Sequence, residues 1–400
     1  MATPDLPSSL QPRFALFSYG FRPFFLAAGI FAVAAIAAWL WVYATGRVPI
    51  PDWPPQLWHA HEMLYGFIGA AIAGFLLTAV PSWTGARGFA GAPLMMVTVA
   101  WLAGRIAFAC ATWLTLPVLA AGELVFIPAL VLLIAVPLLR ARNRNTPLLL
   151  VLIVFWATDV VFMFAVSRAD VMLAGIALRT GINLVLLLVT VIGGRIVPSF
   201  TASALRAQGD DSRIRHAAWL EWIVIGSMAV ILIVDVIAPY SALAALIAGL
   251  AAIAQAGRLI GWRGLRTLRQ PIVWVLHAAY AWLPIGLALK SVFLSTGADW
   301  ASHWVHALTI GAAATMILAV MTRAALGHTG RPLVVAKRVA VAYGLLLLAG
   351  ATRVFAPALG VMPYAVTVTT AGSLWIAAFG LYLTVYGPIL VRPRVDGRPG

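Results

Sequence analysis

The chain has 400 residues, of which 63% are hydrophobic and only 10% are charged, and it carries a formal net charge of +15. Because this few charged residues cannot form the polar exterior of a soluble protein, the composition excludes a soluble domain and predicts an integral membrane protein.

Apolar runs follow one another along the whole chain, and each is long enough to cross a bilayer, which takes roughly 20 residues. They are apolar on all faces, whereas the strands of a membrane barrel would alternate apolar and polar residues. The sequence therefore predicts an all-α membrane protein, a single domain over residues 1–400 with about twelve transmembrane helices. The runs lie near residues 21–44, 59–81, 93–113, 116–139, 146–167, 172–197, 217–238, 241–261, 271–295, 301–325, 333–356 and 362–390.

Lys and Arg residues are concentrated in alternate connectors, such as the one that contains Arg140, Arg142 and Arg144 and the one to which Arg258 is assigned. The opposite set of connectors holds only Arg47 and Arg168. Because positively charged connectors stay in the cytoplasm, we expect both termini on the cytoplasmic side of a bacterial inner membrane. Topology thus accounts for the net charge, and no nucleic-acid partner is expected.

Ionisable residues within the apolar runs are costly in a bilayer and usually mark a site or an ion pair. With the predicted topology, nearly all of them fall in the outer halves of their helices, whereas the inner halves carry mainly Arg195 and His277. We expect a polar pocket that opens toward the periplasm. For Glu123, Asp159 and Lys290, proton relay and mutual ion pairing are equally compatible with the sequence.

Two pairs of histidines lie at the same predicted depth, His59 and His61 on the second helix and His303 and His306 on the tenth. Neutral imidazole is the commonest metal ligand in proteins. At 100° per residue, His59 and His61 project about 200° apart, so they would serve two different centres. One hypothesis is a haem held by one imidazole from each helix, with a second metal on the others. The alternative is that these histidines bind only water, headgroups or neighbouring helices.

Short motifs recur along the chain. The segment Val80-Pro81-Ser82-Trp83-Thr84 is matched by Val197-Pro198-Ser199-Phe200-Thr201, and the spacing from His61 to Thr84-Gly85 is matched by that from His306 to Thr329-Gly330. These matches predict three parallel four-helix repeats, at 21–139, 146–261 and 271–390.

Several motifs together resemble the NnrS family over almost the whole chain. They are Phe21-Arg22-Pro23-Phe24-Phe25, Trp58-His59-Ala60-His61-Glu62, Arg179-Thr180-Gly181-Ile182-Asn183, Gly194-Arg195-Ile196-Val197-Pro198, Leu276-His277-Ala278-Ala279-Tyr280-Ala281-Trp282-Leu283-Pro284 and His303-Trp304-Val305-His306-Ala307-Leu308. The resemblance implies a haem- and copper-containing membrane protein associated with denitrification and tolerance of nitric oxide. No Cys-x-x-Cys-His motif is present, so we expect the haem to be held non-covalently.

We expect the haem to bind His61 and His306 and the copper to lie nearer His59 and His303, with His277 as a further candidate ligand. The arginines expected to bind the cofactor are Arg105, Arg179 and Arg353, and the expected proton carriers are Glu62, Glu123 and Asp159. The arrangement also resembles the haem-copper oxidases, but the sequence lacks their adjacent His-His pair and a histidine on the sixth helix.

Two classes of function are compatible with these features. In the first, the protein binds, detoxifies or reduces nitric oxide at the metals, and a reduction would make it an oxidoreductase whose electron donor the sequence does not reveal. In the second, it is a transporter or a haem- or copper-delivery protein that uses the same histidines. The bare inner halves and the lack of visible paired broken helices argue against transport.

Overall fold

The computed structural model describes residues 14–47, 50, 53–210, 214 and 217–398. The structure is 81% helical, and the described residues include no strand. Twelve helices in the described part of the chain are long and apolar enough to cross a membrane, which confirms the prediction.

The twelve membrane helices are numbered here in chain order, and shorter turns within them are counted with the helix. They are α1 Phe21–Thr45, α2 Pro55–Thr84, α3 Ala92–Ala109, α4 Leu116–Arg140, α5 Leu148–Ser167, α6 Val171–Ala207, α7 Ala218–Ile237, α8 Ala242–Gly261, α9 Pro271–Thr296, α10 Asp299–His328, α11 Lys337–Ala358 and α12 Tyr364–Val391.

The helices begin and end at residues that suit those positions. Pro55 and Pro271 occupy the first turns of α2 and α9, where a missing N–H costs no hydrogen bond. Gly46 follows α1 with φ 70° and Gly85 follows α2 with φ 68°, a left-handed conformation that glycine adopts without strain. The local sequence therefore fixes most of the helix boundaries.

Two of the helices contain a π-helical segment, which the sequence did not reveal. In α2 it spans Glu62–Ile68 and in α10 it spans Ala307–Ala314. Each begins at the residue directly after a histidine, His61 or His306. Both helices continue through these segments without a break, and π-helical segments often occur at functional sites. The predicted threefold repeat stays a prediction.

The helices at the centre of the bundle differ from those at its edge. The second, sixth and tenth helices contact one another, and α1 packs against α12, α5 against α4 and α9 against α8. In the apolar segment of α2, 78% of the residues are buried within the protein, whereas the corresponding share in α7 is 28%. The central helices therefore carry side chains into the protein interior, and the outer helices present theirs to lipid.

Candidate functional site

Most of the side chains that the sequence predicted as site residues lie at one end of the bundle. Because consecutive helices run in opposite directions, this end holds the starts of the even-numbered helices and the ends of the odd-numbered ones. His59 and His306 lie near the starts of α2 and α10, and Arg105 and Arg353 lie near the ends of α3 and α11. The polar residues divide into three groups that do not share a member.

The first group surrounds a cavity of about 650 Å³, here called the histidine cavity. Its walls come mainly from α1, α2, α10, α11 and α12, and its polar lining includes His59, His303, His306 and Arg353. The rest of the wall is largely apolar and aromatic, with Phe67 among its residues. A cavity of this size, with a few convergent polar groups, is typical of sites for small molecules and cofactors.

Polar atoms in the histidine cavity are left without partners. The Nε2 atom of His303 and the Nη1 atom of Arg353 are buried and form no hydrogen bond. No hydrogen bond among the described residues involves a ring nitrogen of His59 or His306, and the His59 ring stacks on Trp39 with centroids 4.5 Å apart. Buried polar groups are normally satisfied, so these nitrogen atoms are available to a ligand.

The second group, here called the acidic cluster, consists of His61, Glu62, Arg105, Glu123 and Asp159, and all five side chains are buried. The His61 ring lies between carboxylates, with Nδ1 3.0 Å from Glu62 Oε1 and Nε2 3.1 Å from Asp159 Oδ1. Arg105 donates hydrogen bonds to Glu62 and Glu123. The three residues predicted as proton carriers therefore lie together.

His59 and His61 belong to different sites, because the rotation of α2 directs them to different sides. His59 lines the histidine cavity, whereas His61 stacks on Phe108 and Phe162 in the acidic cluster. His61 is 0% exposed and is not part of the cavity wall. The structure thus brings His59, His303 and His306 together and does not bring His61 to His306, the pair expected to hold one haem.

The third group, here called the lysine cluster, consists of Asn183, Asp235 and Lys290. The ammonium group of Lys290 lies 2.6 Å from Asp235 Oδ1, and Asn183 donates to Asp235 Oδ2 over 2.8 Å. For Lys290, the structure shows ion pairing. Asp235 was missed by the sequence analysis, although a single carboxylate near the end of an apolar run was a signal that a cation must face it.

Three of the predicted ligand residues lie away from the histidine cavity. Arg105 is held by the carboxylates of the acidic cluster, and Arg179 donates to Tyr240 over 3.3 Å. His277 lies at the opposite end of the bundle, where Nε2 is 2.7 Å from Thr201 Oγ1. None of these three residues is therefore placed to bind a group in the cavity.

The opposite end is also more polar than the sequence predicted. Arg258, which is 3% exposed, pairs with Glu221 and donates to Tyr280 and to the carbonyl oxygen of Thr190. Sequence analysis had counted Arg258 among the connector residues. The expectation of nearly bare inner halves was therefore wrong.

An apolar crevice of about 90 Å³ adjoins the histidine cavity. Side chains from α1, α2, α5, α6 and α10 line it, and Ile68 contributes to the walls of both spaces. Val189 and Met316 belong to the crevice, where polar atoms are almost absent. Such a wall suits a small apolar molecule.

Comparison with known proteins gives one family. The chain matches the NnrS protein family over residues 15–394, which is nearly its whole length. No curated protein matches the chain. The match agrees with the twelve membrane helices, and membership supports an association with nitric oxide in general terms. The chain therefore belongs to the NnrS family and is a membrane protein associated with nitric oxide.

Proposed function

We propose that the protein holds a haem in the histidine cavity and binds nitric oxide there. The observation that carries this proposal is the meeting of three histidines and one arginine in a largely apolar space of about 650 Å³, with His303 Nε2 and Arg353 Nη1 left unpaired. When bound, haem would supply an iron atom to which nitric oxide can coordinate. We place this end on the periplasmic side, because the Lys- and Arg-rich connectors lie at the other end.

The ligands we propose are His59 and His306, one imidazole from α2 and one from α10. His59 takes the role expected of His61, because His61 faces carboxylates through both ring nitrogens and does not line the cavity. Trp39 stacks on His59 and orients its ring. The haem would thus be held by two helices of the central group, and coordination of nitric oxide to the iron would require one of the two imidazoles to be displaced.

Arg353 is the cavity's cation for an anionic group such as a haem propionate. Its Nη2 atom donates to the hydroxyl of Tyr364 over 2.7 Å, which orients the guanidinium group and leaves Nη1 for the ligand. Arginine binds carboxylates well in a low dielectric because its planar N–H groups match their geometry. Of the three arginines expected to bind the cofactor, Arg353 is the one that lines this cavity.

Copper binding is a further part of the proposal, and the cavity offers fewer ligands for copper than for haem. Once two imidazoles bind the haem, His303 is the remaining histidine in the cavity, with Nδ1 2.7 Å from Ser302 Oγ and Nε2 unpaired. Copper sites in proteins use more nitrogen or sulfur ligands than this single imidazole. A copper ion next to His303 would need a further ligand from another molecule.

Access for nitric oxide is supported by the apolar crevice. A small apolar molecule dissolves in lipid, and the crevice lies next to the cavity, since Ile68 lines both. Binding of nitric oxide at this site requires no electron donor. Reduction would require one, and a quinol or a small periplasmic cytochrome is the class of donor that suits this location.

The test is the optical spectrum of detergent-purified protein, oxidised and reduced, with and without nitric oxide. We expect haem bands that shift with nitric oxide in the wild type and are lost or strongly altered in His59→Ala and His306→Ala. His277→Ala is the matched control, because His277 lies at the opposite end beside Thr201, and it should keep the wild-type spectrum. Retention of unchanged bands in both cavity variants would contradict the proposal.

Transport or delivery of haem or copper is the second candidate. The polar groups around Arg258 favour it, because they weaken the argument against a path through the bundle that the sequence drew from nearly bare inner halves. Dilution and gel filtration separate the two functions. A resident cofactor stays with the protein, whereas a cargo is lost.

A further inference from the structure

The acidic cluster carries more negative than positive charge. It contains the carboxyl groups of Glu62, Glu123 and Asp159 but only one guanidinium group, that of Arg105. The most exposed of these residues, Arg105, is only 7% exposed. With His61 neutral, three carboxylates and one guanidinium leave two negative charges uncompensated in a region of low dielectric. Such charges are retained in proteins only when they are paired, protonated or bound to a metal ion.

The other two polar groups at this end do not have this excess. In the lysine cluster, Asp235 faces Lys290, so one negative charge meets one positive charge. Among the residues that the structure describes, the polar lining of the histidine cavity carries the positive charge of Arg353 and no carboxylate. Among these three groups, the excess of negative charge is therefore particular to the acidic cluster and is not a general property of this end of the bundle.

The ligand atoms of the acidic cluster are close enough to share one ion. One ring nitrogen of His61 and one oxygen each of Glu123 and Asp159 all lie within 4.8 Å of one another. The Nε2 atom of His61 is 3.1 Å from Asp159 Oδ1 and 3.9 Å from Glu123 Oε1. Imidazole and carboxylate ligands bind divalent metals at about 2.0–2.2 Å, so atoms around one ion stand roughly 3–4 Å apart. Little rearrangement would be needed.

The surroundings of His61 are those of a metal-binding histidine. Its Nδ1 atom lies 3.0 Å from Glu62 Oε1, and its Nε2 atom lies 3.1 Å from Asp159 Oδ1. In the tautomer in which Nδ1 donates to Glu62, as in metal-binding histidines, Nε2 carries the lone pair that can coordinate a metal ion. A neutral imidazole can donate only one hydrogen bond, so Nε2 cannot also donate to Asp159. Arg105 holds Glu62 and Glu123 in place. This arrangement suits a metal ion held between His61 Nε2 and Asp159.

We propose that the acidic cluster is a second binding site, for a first-row divalent cation, with His61 Nε2, Glu123 and Asp159 as ligands. One imidazole and two carboxylates suit Mn²⁺, Fe²⁺ or Zn²⁺ better than copper, which favours more nitrogen or sulfur. A divalent ion supplies the two positive charges that the cluster lacks. The site is separate from the histidine cavity, so the proposal does not depend on haem binding.

The test uses the full chain in detergent, stripped with a chelator and then titrated with Mn²⁺, with free Mn²⁺ followed by electron paramagnetic resonance. We expect about one Mn²⁺ per chain, displaced by Zn²⁺. Glu123→Gln and Asp159→Asn keep the side-chain shape and remove a charged ligand, so each should weaken binding at least tenfold, since even outer partners of a metal site contribute roughly 10–100-fold. In His61→Gln, the nitrogen coupling in the spectrum of bound Mn²⁺ should disappear.

The matched control is the double variant Lys290→Met/Asp235→Leu, which alters a buried charge pair at the same end and should bind Mn²⁺ as the wild type does. Circular dichroism and gel filtration verify that each variant is folded. A measurement on the wild type alone covers the case in which variants fail to fold. Because a ligand that binds only the folded state stabilises it, Mn²⁺ should raise the unfolding temperature of the stripped protein.

The proposal is overturned if the stripped wild type binds neither Mn²⁺ nor Zn²⁺ and shows no thermal shift. It is also overturned if Glu123→Gln and Asp159→Asn bind like the wild type, or if the lysine-cluster control loses binding to the same extent. The haem spectrum of each variant is recorded in parallel. Loss of Mn²⁺ binding with an intact haem spectrum separates this site from the histidine cavity.

Discussion

Removal of the ammonium group of Lys290 tests whether the lysine cluster stabilises the bundle. Lys290 is 2% exposed and Asp235 is 3% exposed, and the remaining donor to Asp235 in Lys290→Met is the amide of Asn183. Breaking a buried ion pair by removing one partner costs about 3–5 kcal/mol, because the other charge is left uncompensated. We expect Lys290→Met to lower the free energy of unfolding by that amount.

Removal of both charges should cost much less. In Lys290→Met/Asp235→Leu, no buried charge is left unpaired, and replacement of a buried pair by apolar residues is often neutral. Asn183 then loses its acceptor, which limits the recovery by about 1–3 kcal/mol. The double variant should therefore be more stable than the single variant Lys290→Met.

The assay is unfolding by sodium dodecyl sulfate in mixed micelles, followed by tryptophan fluorescence. The reasoning is refuted if Lys290→Met lies within about 1 kcal/mol of the wild type, a loss well below that of a broken buried pair. It is also refuted if the double variant is less stable than Lys290→Met. A wild-type haem spectrum in the double variant would further show that the pair acts on stability and not on the cofactor.

Three further changes test other parts of the structure. Arg105→Met removes the cation that contacts Glu62 and Glu123 and should lower the free energy of unfolding by at least about 3 kcal/mol in the same assay. Ala371→Phe places a ring in the wall of the histidine cavity and should reduce the haem that copurifies, measured by absorbance, whereas an unchanged haem content would contradict this location. Gly193→Leu puts a side chain into the apolar crevice; we expect slower binding of nitric oxide in stopped-flow measurements and an unaltered haem spectrum.

Comparison of sequence and structure shows where prediction from the sequence worked. The number of membrane helices follows from hydropathy, because each crossing needs its own apolar segment and the bilayer imposes a fixed length. It was harder to predict from the sequence whether a charged residue near the end of a helix is buried or lies in a connector. Arg258 was interpreted as a connector residue, although it lies buried and pairs with Glu221, because its partner is on another helix.

The partners of the histidines show the same limit. The angle of about 200° between His59 and His61 predicts different directions, but it does not say which of the two faces His306. That depends on the rotation of α2 within the bundle, which the packing of the central helices determines. The expected pair of His61 and His306 was therefore one of two choices that the sequence leaves equal.

The sequence by itself determined that this is a helical membrane protein of the NnrS family, since hydrophobicity and local motifs are properties of short segments. Only the tertiary structure decided that the ionisable residues at one end separate into a cavity with histidines, an acidic cluster and a balanced pair of Asp235 and Lys290. The physical reason is that charge compensation in a membrane acts between helices far apart in the chain. Each charged residue pairs with a residue that is close to it in space, and the local sequence does not show which residue that is.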